Sequence, residues 1–303
     1  MRQRLVFAVL LFLVAVPLLA KDEKWFEVSS EHFLLFTNTN EMKGRRLVSD
    51  LENRVAAFAQ TFGKIPPRQF PIEILLFNNE QDFVEALPRV KPQQTPLGQP
   101  DLKGQEQLAK TAYMLRGPDR VFIIAKDKSP DDIANDVAHA LGHVFFERYV
   151  VWRPFWLAEG AAEYMRRVGR AADTKAISEQ DGFSAADILT IVPSATYNDN
   201  DPPTVFRAQS YRVLRILLDE KPDVLKQYFQ SLRTQSDAAP RIQLETDALN
   251  VRLQSYVETP LKFPAVAPAV KSGEADMAKV AIHRGDVLLA TDRAPECLTL
   301  LIG

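Results

Sequence analysis

The sequence predicts an α+β fold, with a small N-terminal mixed sheet and flanking helices followed by a helical C-terminal half. Three observations carry this. Short apolar runs of strand length alternate with helical periodicity across residues 25–128. From residue 130 onward the apolar spacing is helical. Proline clusters at Pro66–Pro67, over 88–104 and over 259–270 break these segments apart.

Taken in order, Phe33–Thr37 is a short apolar run that reads as a strand. Leu47, Leu51, Val55, Phe58 and Phe62 then recur at helical spacing, and Gly63 is placed to end that helix. Ile72–Phe77 reads as a buried strand and is followed by a helix near Gln81–Leu87. Residues 88–104 hold four prolines and two glycines and read as a loop. Val121–Ala125 is the third strand.

Ser129 suits an N-cap, Pro130 the first helical position, and Asp131 and Asp132 the positive end of a helix. Its apolar stripe is Ile133, Val137, Leu141 and Val144. Further helices are expected near Phe155–Val168, Phe206–Leu218 and Thr246–Val257. A proline-rich linker is expected over 259–273, and a helical hairpin over 274–303 that resembles part of a tetratricopeptide repeat and must dock on something.

The chain has 303 residues, 46% hydrophobic and 25% charged, enough for one large domain or one domain plus an appendage. A net charge of −2 offers nothing to nucleic acid. The single cysteine, Cys297, rules out an intramolecular disulfide and a cysteine-rich zinc knuckle. Arg2 and Arg4 precede an apolar run of about 15 residues, Leu5–Leu19. That is short of the ~20 needed to span a bilayer, and with Ala20 before the cut it reads as a signal peptide over 1–20 or an uncleaved anchor. The expected location is periplasmic or extracellular, with no multi-span membrane insertion.

The chemistry sits in two segments. His139 and His143 lie four apart on the Ser129-capped helix, on one face and opposite the apolar stripe. This is the ligand spacing of a zinc helix. Downstream comes Trp156-Leu157-Ala158-Glu159-Gly160-Ala161-Ala162-Glu163-Tyr164, where a carboxylate on a second helix would be the third ligand. Two imidazoles, one carboxylate and an open fourth position make a catalytic zinc arrangement.

These residues resemble the gluzincin pattern, H-E-x-x-H followed by W-L-x-E-G-x-A-E-Y. More narrowly, the chain is similar to bacterial peptidase-MA-like domains, which often precede tetratricopeptide repeats. Ser30-Glu31-His32-Phe33, Arg116-Gly117-Pro118-Asp119-Arg120 and Ala208-Gln209-Ser210 add to the likeness, which covers residues 25–258. The resemblance implies a zincin-like fold with its metal cleft between sheet and helices. It implies zinc held by His139, His143 and Glu159, with Glu163 holding a ligand histidine by its other ring nitrogen. It also implies an edge strand that pairs with an extended peptide or protein partner.

The departure is Ala140, which stands where the family has its general-base glutamate. Such a group contributes ~10²–10⁴-fold. Asp136 is one turn earlier, within about 40° around the helix but ~6 Å away along it, a poor surrogate; Glu147 is farther still. Histidines His32 and His283 receive no chemical role, and Arg166 and Arg167 read as surface residues. The expectation is an exported pseudopeptidase of the bacterial envelope that binds peptide or protein. The alternatives are an active or weakly active zinc metallopeptidase, and an active enzyme into which Ala140 was introduced.

Overall fold

The computed structural model describes residues 24–66, 70–87, 112–116, 120–170, 182–191, 204–234, 239–264 and 268–290. The signal segment, the loop expected over 88–104 and Cys297 lie outside them.

The described strands are β1 (Phe26–Ser29), β2 (Phe33–Thr37), β3 (Ile72–Phe77), β4 (Ala112–Arg116), β5 (Val121–Lys126) and β6 (Lys271–Glu274). They form one mixed sheet in the order β4-β5-β3-β2-β1-β6. β2, β3 and β5 run parallel, whereas β4 is antiparallel to β5, and β1 is antiparallel to both β2 and β6. Central β3 is buried along its whole length, the pattern of a strand covered on both faces. Ile72, Ile74 and Leu76 pack into the larger core, while Leu75 and Phe77 pack into a second one with Trp25, Phe83 and Phe122.

Helix α1 (Glu41–Phe62) starts at Asn40, whose side chain accepts from the Met42 N–H, and ends at Gly63 with φ +101°. Glycine takes that conformation without the Cβ penalty. The short α2 (Glu80–Ala86) is capped by Asn79. Helices α3 (Pro130–Phe146), α4 (Phe155–Arg167), α5 (Ala185–Thr190), α6 (Thr204–Glu220), α7 (Pro222–Arg233) and α8 (Thr246–Ser255) complete the helical half. α1, α3 and α4 share the larger core with the β2, β3 and β5 side chains on that face.

The C-terminal part differs from the expected linker and hairpin. Residues 271–274 are strand β6, pairing Phe26 with Glu274 and Ser29 with Lys271. Their sequence, Lys-Ser-Gly-Glu, is polar and largely exposed; the free edge of β1 makes it a strand. Helix α9 (Met277–Ala290) then buries Val280 and Val287 in the second core, against the sheet face away from α3. The second helix of the expected hairpin would begin near Thr291-Asp292, outside the described residues. Among the described residues no helix is long and apolar enough to cross a membrane.

Candidate metal centre

Helix α3 is set by its cap and its stripe. The Ser129 side chain accepts from the Asp132 N–H, Pro130 occupies the first turn, and Ile133, Val137 and Leu141 are buried. With that face committed to the core, His139 and His143 turn to the opposite side, with side chains 18% and 20% exposed. Helix α4 packs alongside. Trp156 and Leu157 are core residues, and Glu159 and Glu163 are each only 1% exposed.

Two glycines allow this approach. A Cβ on Gly142 of α3 would stand 2.5 Å from Ala162 Cα on α4. A Cβ on Gly160 of α4 would stand 2.9 Å from the Ser210 carbonyl oxygen on α6. Both distances are shorter than real Cβ contacts, so three helices touch backbone to backbone beside the site.

The result is a triangle of side chains whose third corner is the Glu159 carboxylate, met by each imidazole at a different oxygen. His139 Nε2 and His143 Nε2 are 3.3 Å apart, His139 Nε2 is 3.3 Å from Glu159 Oε2, and His143 Nε2 is 3.3 Å from Glu159 Oε1. A tetrahedral ion with bonds of about 2.0–2.1 Å holds neighbouring ligand atoms about 3.3–3.4 Å apart. His139, His143 and Glu159 therefore form a group that could hold a metal ion. Glu159 is also buried, and its Oε2 makes no hydrogen bond, as an oxygen kept for a cation would be.

Glu163 lies behind this group. Its Oε2 is 3.5 Å from His139 Nδ1, an ion-pair contact rather than a well-formed hydrogen bond. Arg166 Nη2 donates to Glu163 at 2.5 Å and Arg167 Nε at 2.8 Å. Arg167 also reaches Glu258 at 3.1 Å, and its side chain is 12% exposed. Neither arginine is therefore the plain surface residue that its sequence position suggested: both neutralise a buried carboxylate, which costs several kcal/mol if left unpaired.

The electrostatics follow. Burial pushes the Glu159 carboxyl up, but the two imidazoles beside it outweigh burial and bring it down to about 2. Burial likewise raises Glu163, and His139 with Arg166 and Arg167 more than reverses this, so it sits well below the usual carboxylate range. Burial lowers His139, but Glu159 and Glu163 overcome that and raise it.

A cleft of about 750 Å³ opens over the triangle. Ala140 lies in its wall beside both histidines, with Met114 and Arg116 of β4 on one side and Phe155, Ala158 and Arg207 on another. Asp136 is exposed and is not part of the lining, whereas Glu147, at the end of α3, is. Axial distance had favoured Asp136, but Glu147, one turn beyond His143 and still in helical conformation at the C-cap, is the one on the cleft face. Both Glu147 oxygens accept from Arg116 Nη1, at 2.8 and 2.9 Å, and Arg153 Nη1 lies 3.4 Å away.

Sequence reasoning did not single out Arg207, Arg153 or Gly142, and it named Gly160 only as a position of the resemblance motif. Arg207 immediately precedes Ala208-Gln209-Ser210, and its Nε lies 3.6 Å from Glu159 Oε2. Gln209 binds the Phe183 N–H and carbonyl at 2.8 and 3.1 Å, which fixes the start of α6 over the site. On the far face of the sheet, Glu73, His283 and Asp286 form a second cluster with ligand chemistry. Arg120 Nη1 already sits in it, 3.0 Å from Glu73 and 2.9 Å from Asp286. Together with His283 stacked on Phe36 at 4.6 Å, this cluster anchors α9. His32 is likewise structural: its backbone N–H and its Nδ1 each meet Glu52 at 2.8 Å.

No protein-family model matches the chain, and no curated protein sequence matches it at a significant level.

Proposed function

We propose that this chain is a zincin-like pseudopeptidase: an exported domain that holds zinc through His139, His143 and Glu159 and captures an extended peptide or protein segment without efficient hydrolysis. The observation that carries the reading is the 3.3 Å triangle of two imidazole nitrogens and a buried carboxylate. Zinc, when bound, polarises a carbonyl and acidifies a bound water. The chain supplies the rest. Glu163 faces Nδ1 of His139, which leaves Nε2 as the ligand atom and fixes the ring.

Hydrolysis of an amide also needs a group that takes a proton from the attacking water and delivers it to the leaving nitrogen. Ala140 has none. Among the described residues, the remaining carboxylate lining the cleft is Glu147, which is engaged by Arg116 and Arg153. Capture is supported by β4, which ends the described sheet and is antiparallel to β5. Met114 and Arg116 alternate onto the cleft side of β4, while Tyr113 and Leu115 face the second core. An extended peptide added at such an edge satisfies main-chain hydrogen bonds and presents alternate side chains to the cleft.

Elemental analysis of the purified mature chain and of a His143→Ala variant tests the metal site. One zinc per wild-type chain, lost in the variant, is expected; zinc in neither would sink the reading. Chelator-sensitive cleavage of a peptide library at the rate of an ordinary metallopeptidase would replace pseudopeptidase by enzyme.

A further inference from the structure

A second cavity, of about 350 Å³, lies along α1 and shares no described lining residue with the metal cleft. Val55, Ala56 and Ala59 form its helical wall, Ile65 follows just past the helix, and Pro268 comes from the segment before β6. These side chains are apolar. Glu31, His32, Asn53 and Lys64 add polar groups. Glu31 and Lys64 are exposed and Asn53 is half-buried, and none of these three makes a hydrogen bond or ion pair among the described residues.

The His32 ring is fixed. Its Nδ1 and its backbone N–H meet different oxygens of Glu52, each at 2.8 Å. Burial raises the Glu52 carboxyl, but hydrogen bonds from His32 and Ser30 outweigh it and keep the group ionised. An ionised carboxylate only accepts, so Nδ1 carries the proton and Nε2 of the neutral ring is a lone-pair acceptor. Nε2 has no partner among the described residues, and the side chain is 19% exposed.

We infer that this cavity takes a small ligand carrying a primary ammonium on an apolar body. An ammonium offers three N–H donors and no acceptor. The end of the cavity beside Glu52 offers acceptors to match: His32 Nε2, the Glu31 carboxylate next to it in sequence, and the Asn53 side-chain carbonyl. Glu31 supplies the opposite charge, and charge-assisted hydrogen bonds favour the ion over a neutral group. The apolar body lies on Val55, Ala56 and Ala59, which follow on the same side of α1. The helix runs about 15 Å from Glu52 to Phe62, at 1.5 Å per residue, so the Lys64 backbone is well removed from the ammonium end. The ammonium has two sources, a simple amine or an α-amino acid, whose carboxylate Lys64 would meet. No proposed zinc ligand lines this cavity, so the inference does not rest on the metal reading.

The test is an NMR titration of the full mature, isotope-labelled chain with four probes of similar shape. Leucinamide is the cation, leucine the zwitterion, N-acetyl-leucinamide the neutral control and 4-methylpentanoate the anion. Shifts centred on the amides of 52–59 are expected, with at least one of the two amines binding about tenfold or more tightly than the neutral and anionic probes. Tighter binding of leucine than of leucinamide, lost in Lys64→Met, identifies an amino acid as the source; equal or weaker binding identifies a simple amine. Glu31→Gln and Asn53→Ala are each expected to weaken amine binding about tenfold. Glu31 is exposed and Asn53 only half-buried, so both variants keep the fold. His143→Ala is expected to leave amine binding unchanged, which separates this site from the metal centre. Equal binding of all four probes, no binding of any, or amine binding indifferent to both Glu31→Gln and Asn53→Ala would overturn the inference.

Discussion

Gly142 on α3 lies so close to Ala162 on α4 that a Cβ on the glycine would stand 2.5 Å from the alanine's Cα and 3.1 Å from its carbonyl oxygen. The contact falls between the two halves of the metal triangle, with His143 next to Gly142 on one helix and Glu159 one turn before Ala162 on the other. Helix separation there sets the distance between imidazole and carboxylate.

A Gly142→Ala substitution is therefore expected to push α3 and α4 apart. Overpacking of this kind costs about 1–3 kcal/mol, more than the better helix propensity of alanine returns, about 1 kcal/mol. Chemical denaturation should show a lower midpoint, and zinc titration a weaker affinity. A stabilised variant with unchanged zinc affinity would show that the helices have slack at this point.

Position 140 gives the second prediction. Ala140 is half-buried and lines the cleft next to both histidines, so a longer side chain there can extend into open space. Ala140→Glu is expected to raise chelator-sensitive peptide hydrolysis by ~10²–10⁴-fold over the chain as it stands. The measurement is cleavage of a quenched fluorescent peptide library with and without a zinc chelator. No gain, in a variant that still holds one zinc, would mean that the cleft does not position a scissile bond.

Glu163 should matter to both stability and metal. It is buried between His139 and two arginines. Glu163→Gln removes the charge and leaves Arg167 against a neutral amide. Breaking a buried pair costs about 3–5 kcal/mol, discounted here because the Arg166 side chain is 37% exposed and Arg167 keeps Glu258. Loss of a group that orients a ligand histidine lowers metal affinity about 10–100-fold. Denaturation of the metal-free chain and competition for zinc against a chelator of known affinity read the two effects separately. A variant unchanged in both would return Glu163 to the status of an ordinary helix residue.

The Glu52–His32 pair predicts a pH dependence. Burial raises Glu52, but hydrogen bonds from the His32 ring and backbone N–H, together with Ser30, outweigh it and leave the carboxyl below its ordinary 4.5. A carboxyl depressed on folding contributes stability that is fully present above about pH 4.5 and is lost as the pH falls through its folded value. Wild type should therefore exceed Glu52→Gln in stability near neutral pH, and the gap should close in acid. Urea midpoints from pH 6 down to pH 3 measure it; parallel curves would exclude the pair as a source of acid sensitivity.

Much of the fold was legible because its elements carry local signals. The Ser129 cap, Gly63 and the stripes of α1 and α3 each act within one or two turns. Helix α7 had such a signal, with Leu225, Tyr228, Phe229 and Leu232 all buried, and it went unread. β6 had none, since nothing in Lys-Ser-Gly-Glu favours a strand until β1 offers an edge. The docking of α9 depends on Arg120 and Glu73, more than 150 residues away in sequence.

The site divides in the same way. The sequence by itself determined that His139 shares a face with His143 and Glu159 with Glu163, because helical spacing fixes which side chains share a face. The expectation that Glu159 meets the histidines, and that Ala140 stands in place of a glutamate, came from the resemblance of the two motifs to the gluzincin pattern. Only the tertiary structure decided that Glu147 rather than Asp136 reaches the cleft, that Arg166 and Arg167 neutralise Glu163, and that Arg116, Arg153 and Arg207 gather around one opening. Those relationships join residues on different elements, and their distances are set by how closely backbones pack, which local periodicity does not encode.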